Sequence, residues 1–291
     1  MIKIGINGFG RIGKLISRLV IEDPRLHLTA INHPTMTKQD YLDILKYDSV
    51  HRLSENFDIN MAKATHIHNH QNPEEIIWND EIDIVLDTTG KFKSKETLIQ
   101  HKANTQLDDD TIILLTAPSS DETPMFVYGV NHVNYNNEDV ISAASCTTTC
   151  LAPIVDILHS HYTINNGLVT TIHSATSSQY TVDKYTPGKR TGRGILNNII
   201  PSSRGAASAI GKVIPELDGK LDAISVRVPV SNISLLDLSV NLEDGPCMDT
   251  ILNLFRELSN NEYCEIIEVS DKLLVSQDFI GNGNNAIIDS P

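Results

Sequence analysis

Hydrophobic and polar positions change rhythm near the middle of the chain. In the first half, short apolar runs alternate with helix-period segments. IKIGING reads as a strand, and GRIGKLISRLVIED as a helix carrying apolar residues at Ile12, Leu15, Ile16, Leu19 and Val20. LHLTAIN is the next strand and QDYLDILKY the next helix, while IDIVLDTTG and TIILLTAP are apolar strands closed by turn residues. Such alternation implies right-handed crossovers, and so a doubly wound, mostly parallel sheet with helices on both faces.

The second half has a different grain. TTTCLAPIVDILHSH predicts one helix, and GLVTTIHSAT, AISVRVPV and SNISLLDLSVNL are long extended runs with few helices between them. That pattern predicts an α+β domain with a mainly antiparallel or mixed sheet. The expected class is therefore α/β overall, with domains at 1–145 and 146–291.

Composition adds limits rather than detail. The 291 residues suffice for two cores, and 40% hydrophobic with 21% charged residues is ordinary for a soluble globular protein. A formal charge of −14 argues against nucleic acid or an anionic membrane as the main partner. It leaves room for an anionic substrate, because a few local arginines can oppose the global field. No apolar run approaches the ~18 residues of a membrane span, and MIKIGING is too interrupted for a signal-peptide core. The four cysteines (Cys146, Cys150, Cys247, Cys264) lack framework spacing, which suggests reduced thiols and a cytoplasmic setting.

Two stretches carry candidate chemistry. NGFGRIG supplies G-x-G-x-x-G at Gly8, Gly10 and Gly13, after a strand and opening a helix. Gly8 permits the tight turn, Gly10 the approach of a pyrophosphate, and Gly13 close helix–strand packing, while the helix N-terminus offers free N–H groups to the phosphates. Such folds place an acid about 20 positions on, where it holds the ribose hydroxyls. Here that position is His33, which gives no bidentate acceptor and does not repel a 2′-phosphate. NAD is the expected cofactor, with some tolerance of NADP, unless Asn32 and backbone groups suffice for NAD.

In ISAASCTTTC, Cys146 begins a helix with a hydroxyl-rich first turn. The helix field favours a thiolate there, and the free N–H groups can serve an oxyanion. The residues alone leave three readings open: a buried structural thiol, half of a redox pair with Cys150 at i+4, or a nucleophile. His173 of TTIHSAT lies on a predicted strand and acquires catalytic weight only by meeting Cys146. THIHNHQ places His66, His68 and His70 at alternate positions, compatible with a metal site. A solvated polar strand is the expected reading, and no metal is expected.

NGFGRIG, KYDSVH, DTTGKF, YGVNH, SCTTTCLAP, TTIHSAT, GKVIPELDGKL and VRVPVSNISLLDL occur here in the order and approximate spacing of a known family. Together they resemble the phosphorylating glyceraldehyde-3-phosphate dehydrogenases, with erythrose-4-phosphate dehydrogenases as close relatives. The resemblance implies that Cys146 attacks the aldehyde and that His173 raises its thiolate character and accepts the hydroxyl proton as hydride leaves. Inorganic phosphate then cleaves the thioester to an acyl phosphate.

The same resemblance implies cofactor contacts from Gly8, Gly10, Arg11, Ile12, Gly13 and His33, and from Thr89, Gly90 and Thr116. It implies that Thr176 and Arg227 hold the substrate phosphate, with Ser145, Thr147, Arg204 and Gly205 lining the inorganic-phosphate pocket. Domain 1–145 would bind the dinucleotide and domain 146–291 the sugar-phosphate aldehyde. GKRTGRG matches a loop that reaches a neighbouring subunit, which implies a homotetramer.

Four departures stand out: His33 in place of the ribose-binding acid; Thr149 and Ala143 in place of asparagines; Arg204 in place of threonine; and an end at NAIIDSP before the family's final strand and helix. Arg204 either adds charge to the phosphate pocket or fills it. The alternatives to glyceraldehyde 3-phosphate oxidation are erythrose 4-phosphate as substrate, and a shortened, silent relative that binds nucleotides or protein partners.

Overall fold

The computed structural model describes residues 1–291 except 55–56, 79–81, 104–106, 188–189 and 203–204, and of 205–208 the backbone only. The chain forms two units, Met1–Phe126 with Asn134–Ser145, and Val127–Val133 with Cys146–Pro291.

In the first unit the predicted alternation becomes β1 (Ile2–Asn7), α1 (Arg11–Glu22), β2 (Leu26–Asn32), α2 (Lys38–Lys46), α3 (Ile59–Lys63), β3 (His66–His68), β4 (Ile84–Asp87), α4 (Lys95–Leu98), β5 (Ile112–Leu115) and β6 (Val140–Ser142). The strands form one parallel sheet in the order β3-β2-β1-β4-β5-β6. Its reversal between β1 and β4 is the topological switch point, where an open α/β sheet has its binding crevice. Apolar residues fill both faces: Ile4, Ile6, Leu28, Tyr41 and Leu45 on one, Trp78, Val85, Leu98, Ile113 and Leu115 on the other.

Two local expectations change. Helix α1 buries Gly13, Ser17, Arg18 and Val20, while Ile12 (45%) and Leu19 (65%) are exposed. The burial of Arg18 has a polar reason. Arg18 donates from Nε and Nη2 to Leu45 O (2.9 and 2.6 Å) and from Nη1 to His51 O (3.0 Å). Lys14 pairs with Asp48, whose carboxylate also accepts from the N–H groups of Val50 and His51. This clasp ties α1 to the KYDSVH segment, while Ile16, Val20 and Ile21 pack on the core. The THIHNHQ stretch, expected as a solvated polar strand, forms β3, a parallel edge strand with Asn32 opposite His68. His66 is exposed, but the His68 ring packs edge-on to Trp78 at 5.7 Å.

The second unit contains α5 (Cys146–Tyr162), β7 (Ile164–His173), β8 (Ile200–Ser202), α6 (Gly205–Val213), β9 (Leu221–Arg227), β10 (Leu235–Leu242), α7 (Met248–Ser259), β11 (Ile267–Ser270) and β12 (Ala286–Asp289). Its four-stranded sheet runs β10-β7-β9-β8 and is mixed: β7 is antiparallel to β10 and parallel to β9, and β8 is antiparallel to β9. β11 and β12 form a separate parallel pair. Residues Val169, Thr171, His173, Leu221 and Ala223 are buried on one side of the sheet, and α5 and α6 pack against β7 and β9. Its other side exposes Leu168, Ile172, Ile224 and Leu235.

Candidate active site

At the switch point in the first unit, the glycine turn is fixed from below. Gly8 has φ +98, and a Cβ there would lie 2.9 Å from Thr88 Oγ1. Gly13 sits so close to the turn that a Cβ would fall 2.2 Å from Gly8 O, which makes it a packing requirement of the helix start. Gly10 is different. It is the N-cap of α1 with φ −80, and a Cβ would meet nothing within 4 Å. Neither backbone conformation nor packing calls for glycine at that position, which suits close approach of a ligand.

No side chain caps α1, and its first turn holds no acid, so the helix start at Arg11, Ile12 and Gly13 keeps its positive field. The residues present therefore fit the pyrophosphate of a dinucleotide.

Beneath this turn lies a polar network that sequence reasoning missed. Asp87 is fully buried at the end of β4. It accepts from Asn7 Nδ2 (2.9 Å), Thr89 N (3.1 Å) and Thr89 Oγ1 (2.7 Å), with His101 Nε2 at 3.3 Å. Thr88 Oγ1 donates to Gly8 O at 2.9 Å, and Thr116 Oγ1 to Asp87 O at 3.1 Å. Asp87 thus joins the turn after β1 to the Thr89–Gly90 turn after β4, where Gly90 has φ +64. An acid ending an apolar strand was the available signal.

Asn32 is drawn into the same network. It donates to Asn7 Oδ1 (2.8 Å) and His70 O (3.0 Å) and accepts from His70 N (2.9 Å). Buried and fully engaged, it is no free ribose ligand. His33, half-buried just beyond β2, is the side chain left at that corner.

In the second unit, Cys146 opens α5 and His173 closes β7, two elements that pack together. Cys146 is exposed, and its Sγ lies 3.3 Å from His173 Nε2. Burial of surrounding atoms pushes the thiol pKa up. Hydrogen bonding and charge from His173, with the Thr147 hydroxyl and N–H, outweigh that and bring it below its ordinary value. Cys150 goes the other way: burial, then the charge of Cys146, pushes it up to about 11. Burial and a high pKa make Cys150 an unreactive neighbour, and all four cysteines are free thiols.

The sheet register brings in the third side chain. In the parallel pairing of β7 with β9, His173 lies directly opposite Arg227. Arg227 Nη1 is 2.5 Å from His173 Nδ1 and donates to Ser174 O at 2.9 Å, while Arg227 Nε is buried without a partner among the described residues. The guanidinium thus packs against the imidazole, a contact the sequence did not indicate.

The remaining sequence-based candidates are less gathered. Ser145 is half-buried immediately before Cys146. Thr176 Oγ1 bonds within its own turn, to Gln179 Oε1 and Ser178 Oγ, both at 3.0 Å. Gly205 opens α6. Arg204 lies outside the described residues.

The chain matches two family models, the NAD binding domain of glyceraldehyde 3-phosphate dehydrogenase over residues 2–95 and the C-terminal domain of the same enzyme over residues 145–291. It is 42% identical to the glyceraldehyde-3-phosphate dehydrogenase of Bacteroides fragilis, with 100% of this chain and 89% of that protein covered. It is 41% identical to the protein of that name from Claviceps purpurea (99% and 87% covered) and 40% identical to the cytosolic one of Pisum sativum (99% and 88% covered). A glycine turn with an uncapped helix start, a cysteine in contact with a histidine, and identity along the whole chain agree: the chain belongs to the glyceraldehyde-3-phosphate dehydrogenase family.

Proposed function

We propose that this protein oxidises glyceraldehyde 3-phosphate and captures the product as the acyl phosphate 1,3-bisphosphoglycerate. The observation that carries the reading is the 3.3 Å contact between Cys146 Sγ and His173 Nε2, joined to the lowered thiol pKa. The Cys146 thiolate adds to the aldehyde carbon, and the thiohemiacetal hydroxyl gives its proton to His173 as the carbon is oxidised. Inorganic phosphate then attacks the thioester carbon, the C–S bond breaks, and the thiolate is restored. NAD, when bound, supplies the two-electron acceptor.

Residues 1–145 hold the cofactor in this reading, through the helix start at Arg11–Gly13, the Gly8–Gly10 turn, and Thr89, Gly90 and Thr116. Residues 146–291 hold the substrate. Arg227 and Thr176 take its phosphate, after Arg227 leaves His173 and Thr176 leaves its turn. Ser145, Thr147 and Gly205 line the inorganic-phosphate pocket. With His33 at the ribose corner and Asn32 committed elsewhere, NADP is accepted beside NAD. The apolar open face of the four-stranded sheet, with Leu168, Ile172, Ile224 and Leu235, suits burial in a homotetramer. Among the described residues no helix is long and apolar enough to cross a membrane. The cytoplasm is the proposed location, in keeping with the Pisum sativum relative, a cytosolic enzyme by name.

A rapid-mixing assay tests the chemistry. With glyceraldehyde 3-phosphate and NAD, the protein is expected to give a burst of reduced nicotinamide without phosphate and steady turnover with it. Cys146→Ala should lose both. A burst that survives Cys146→Ala would sink the proposal, as would an absence of turnover with phosphate present.

A further inference from the structure

From the buried pairing of His101 with Asp87 we infer that His101 is a positioning residue of the cofactor crevice. It acts through Asp87 on the Thr89–Gly90 turn, and so on the nicotinamide half of NAD. The inference rests on the reading of this crevice as an NAD site.

His101 lies in a short 3₁₀ turn (Ile99–Lys102) directly after α4 and is completely buried. Its ring packs on Trp78, with centroids 5.9 Å apart, beside the apolar cluster that also holds Leu98 and Leu115. For stability alone such a place calls for an apolar side chain. His101 Nδ1 has no partner among the described residues, and a buried ring satisfied on one side only is a poor stabiliser. What the histidine adds is Nε2, 3.3 Å from Asp87 Oδ2. A carboxylate only accepts, so the ring nitrogen is the donor.

The oxygens of Asp87 divide the work. Oδ2 accepts from His101 and from Asn7 Nδ2 (2.9 Å), while Oδ1 accepts from the N–H and the hydroxyl of Thr89 (3.1 and 2.7 Å). The donors on Oδ2 fix the rotation of the carboxylate and keep Oδ1 aimed at the turn. The Thr89 hydroxyl gives its single proton to Asp87 and accepts from Lys91 N at 3.1 Å. Toward a ligand it therefore presents a lone pair, the character that a sugar hydroxyl requires. Without His101, Oδ2 would keep only Asn7, whose amide is shared with Asn32. Thr89 would then lose its fixed orientation.

Sheet order confines the effect to one half of the cofactor. The corner after β2, with His33, serves the adenosine ribose, and the turn after β1 the pyrophosphate. β4 flanks β1 on the side away from β2, so its turn falls to the nicotinamide half. ADP carries the adenosine and the pyrophosphate and does not reach that turn.

Calorimetric titration of the full chain with NAD and with ADP tests this. His101→Leu removes the donor, and His101→Gln keeps an amide nitrogen in place of Nε2. His101→Leu is expected to weaken NAD roughly tenfold and leave ADP unchanged, and His101→Gln to restore NAD affinity. An equal loss for both ligands would mean general damage to the domain and overturns the inference. Unchanged NAD affinity in His101→Leu, or no rescue by His101→Gln, also overturns it.

If His101→Leu does not fold, the wild type decides by ¹⁵N NMR of its histidine rings, with His101 assigned by loss of its signals in His101→Gln. The His101 Nε2–H signal should move with NAD and stay in place with ADP. Movement with both ligands, or with neither, overturns the inference. A wild type that binds NAD but not ADP removes the division between the halves, and the inference falls alone. A wild type that does not bind NAD overturns the cofactor reading and the inference together.

Discussion

The glycine turn and the thiol cluster each lie at a helix start, yet they are built in opposite ways. The turn draws on consecutive residues and uses backbone groups, with glycines where a side chain would collide. The thiol cluster uses three side chains separated by 27 and 54 residues, brought together by a helix packed on a sheet and by one strand register. The turn's distant side-chain support comes from Asp87 and Thr88 beneath it. The cluster depends on register throughout: moving β9 by one residue along β7 would send Arg227 to the other face, because side chains alternate. The turn even separates fold from ligand within itself, since Gly13 is required by packing and Gly10 is not.

The largest expected effect falls on the cluster. His173→Asn should cut turnover roughly 10²- to 10⁴-fold, the usual range for loss of a general base. It should leave the melting temperature and NAD affinity nearly unchanged, as read by thermal unfolding and cofactor titration. A matching loss of NAD affinity would mean that the cluster and the turn are not separate devices.

Glycine substitutions come next and divide the turn. Gly13→Ala places a methyl 2.2 Å from a carbonyl oxygen and should cost about 3 kcal/mol or more. A fall of several degrees in melting temperature would report it. Gly10→Ala should leave that temperature unchanged and weaken NAD binding. Equal melting losses in the two variants would erase the distinction drawn between them.

Alkylation by iodoacetamide as a function of pH reads the thiols. Cys146 should react as its thiolate with a midpoint below its ordinary thiol value, because His173 and Thr147 favour the anion. Removing His173 leaves burial as the main influence, so the midpoint should move up in His173→Asn. Cys150, at about 11, should stay unmodified near neutral pH, and mass spectrometry of the labelled peptide distinguishes the two.

The smallest effect belongs to the ribose corner. His33→Asp should shift preference toward NAD over NADP by about tenfold, or ~1.4 kcal/mol, through repulsion of the 2′-phosphate. An unchanged ratio of the two kcat/KM values would remove His33 from cofactor choice.

Much of the architecture was legible because it follows from short-range patterns. Alternating strands and helices gave the parallel sheet, NGFGRIG its turn, and the helix after ISAAS the position of Cys146. Helix α7 escaped notice although Ile251, Phe255 and Leu258 repeat at helical spacing and Phe255 and Leu258 are buried. Its signal was present in the sequence. The burial of Arg18 in α1 was not readable in that way, because Arg18 and Lys14 find their partners on a segment some 30 residues on.

The sequence by itself determined the elements, the two patterns of the halves, the glycine turn, and the family whose motifs run along the chain. Tertiary structure alone decided that Asp87 ties two turns together, that Asn32 faces inward, and that Arg227 lies against His173. The physical reason is that hydrogen-bond partners are set by strand order and register. A side chain's identity states what it can donate or accept, and only the packed sheet determines what it meets.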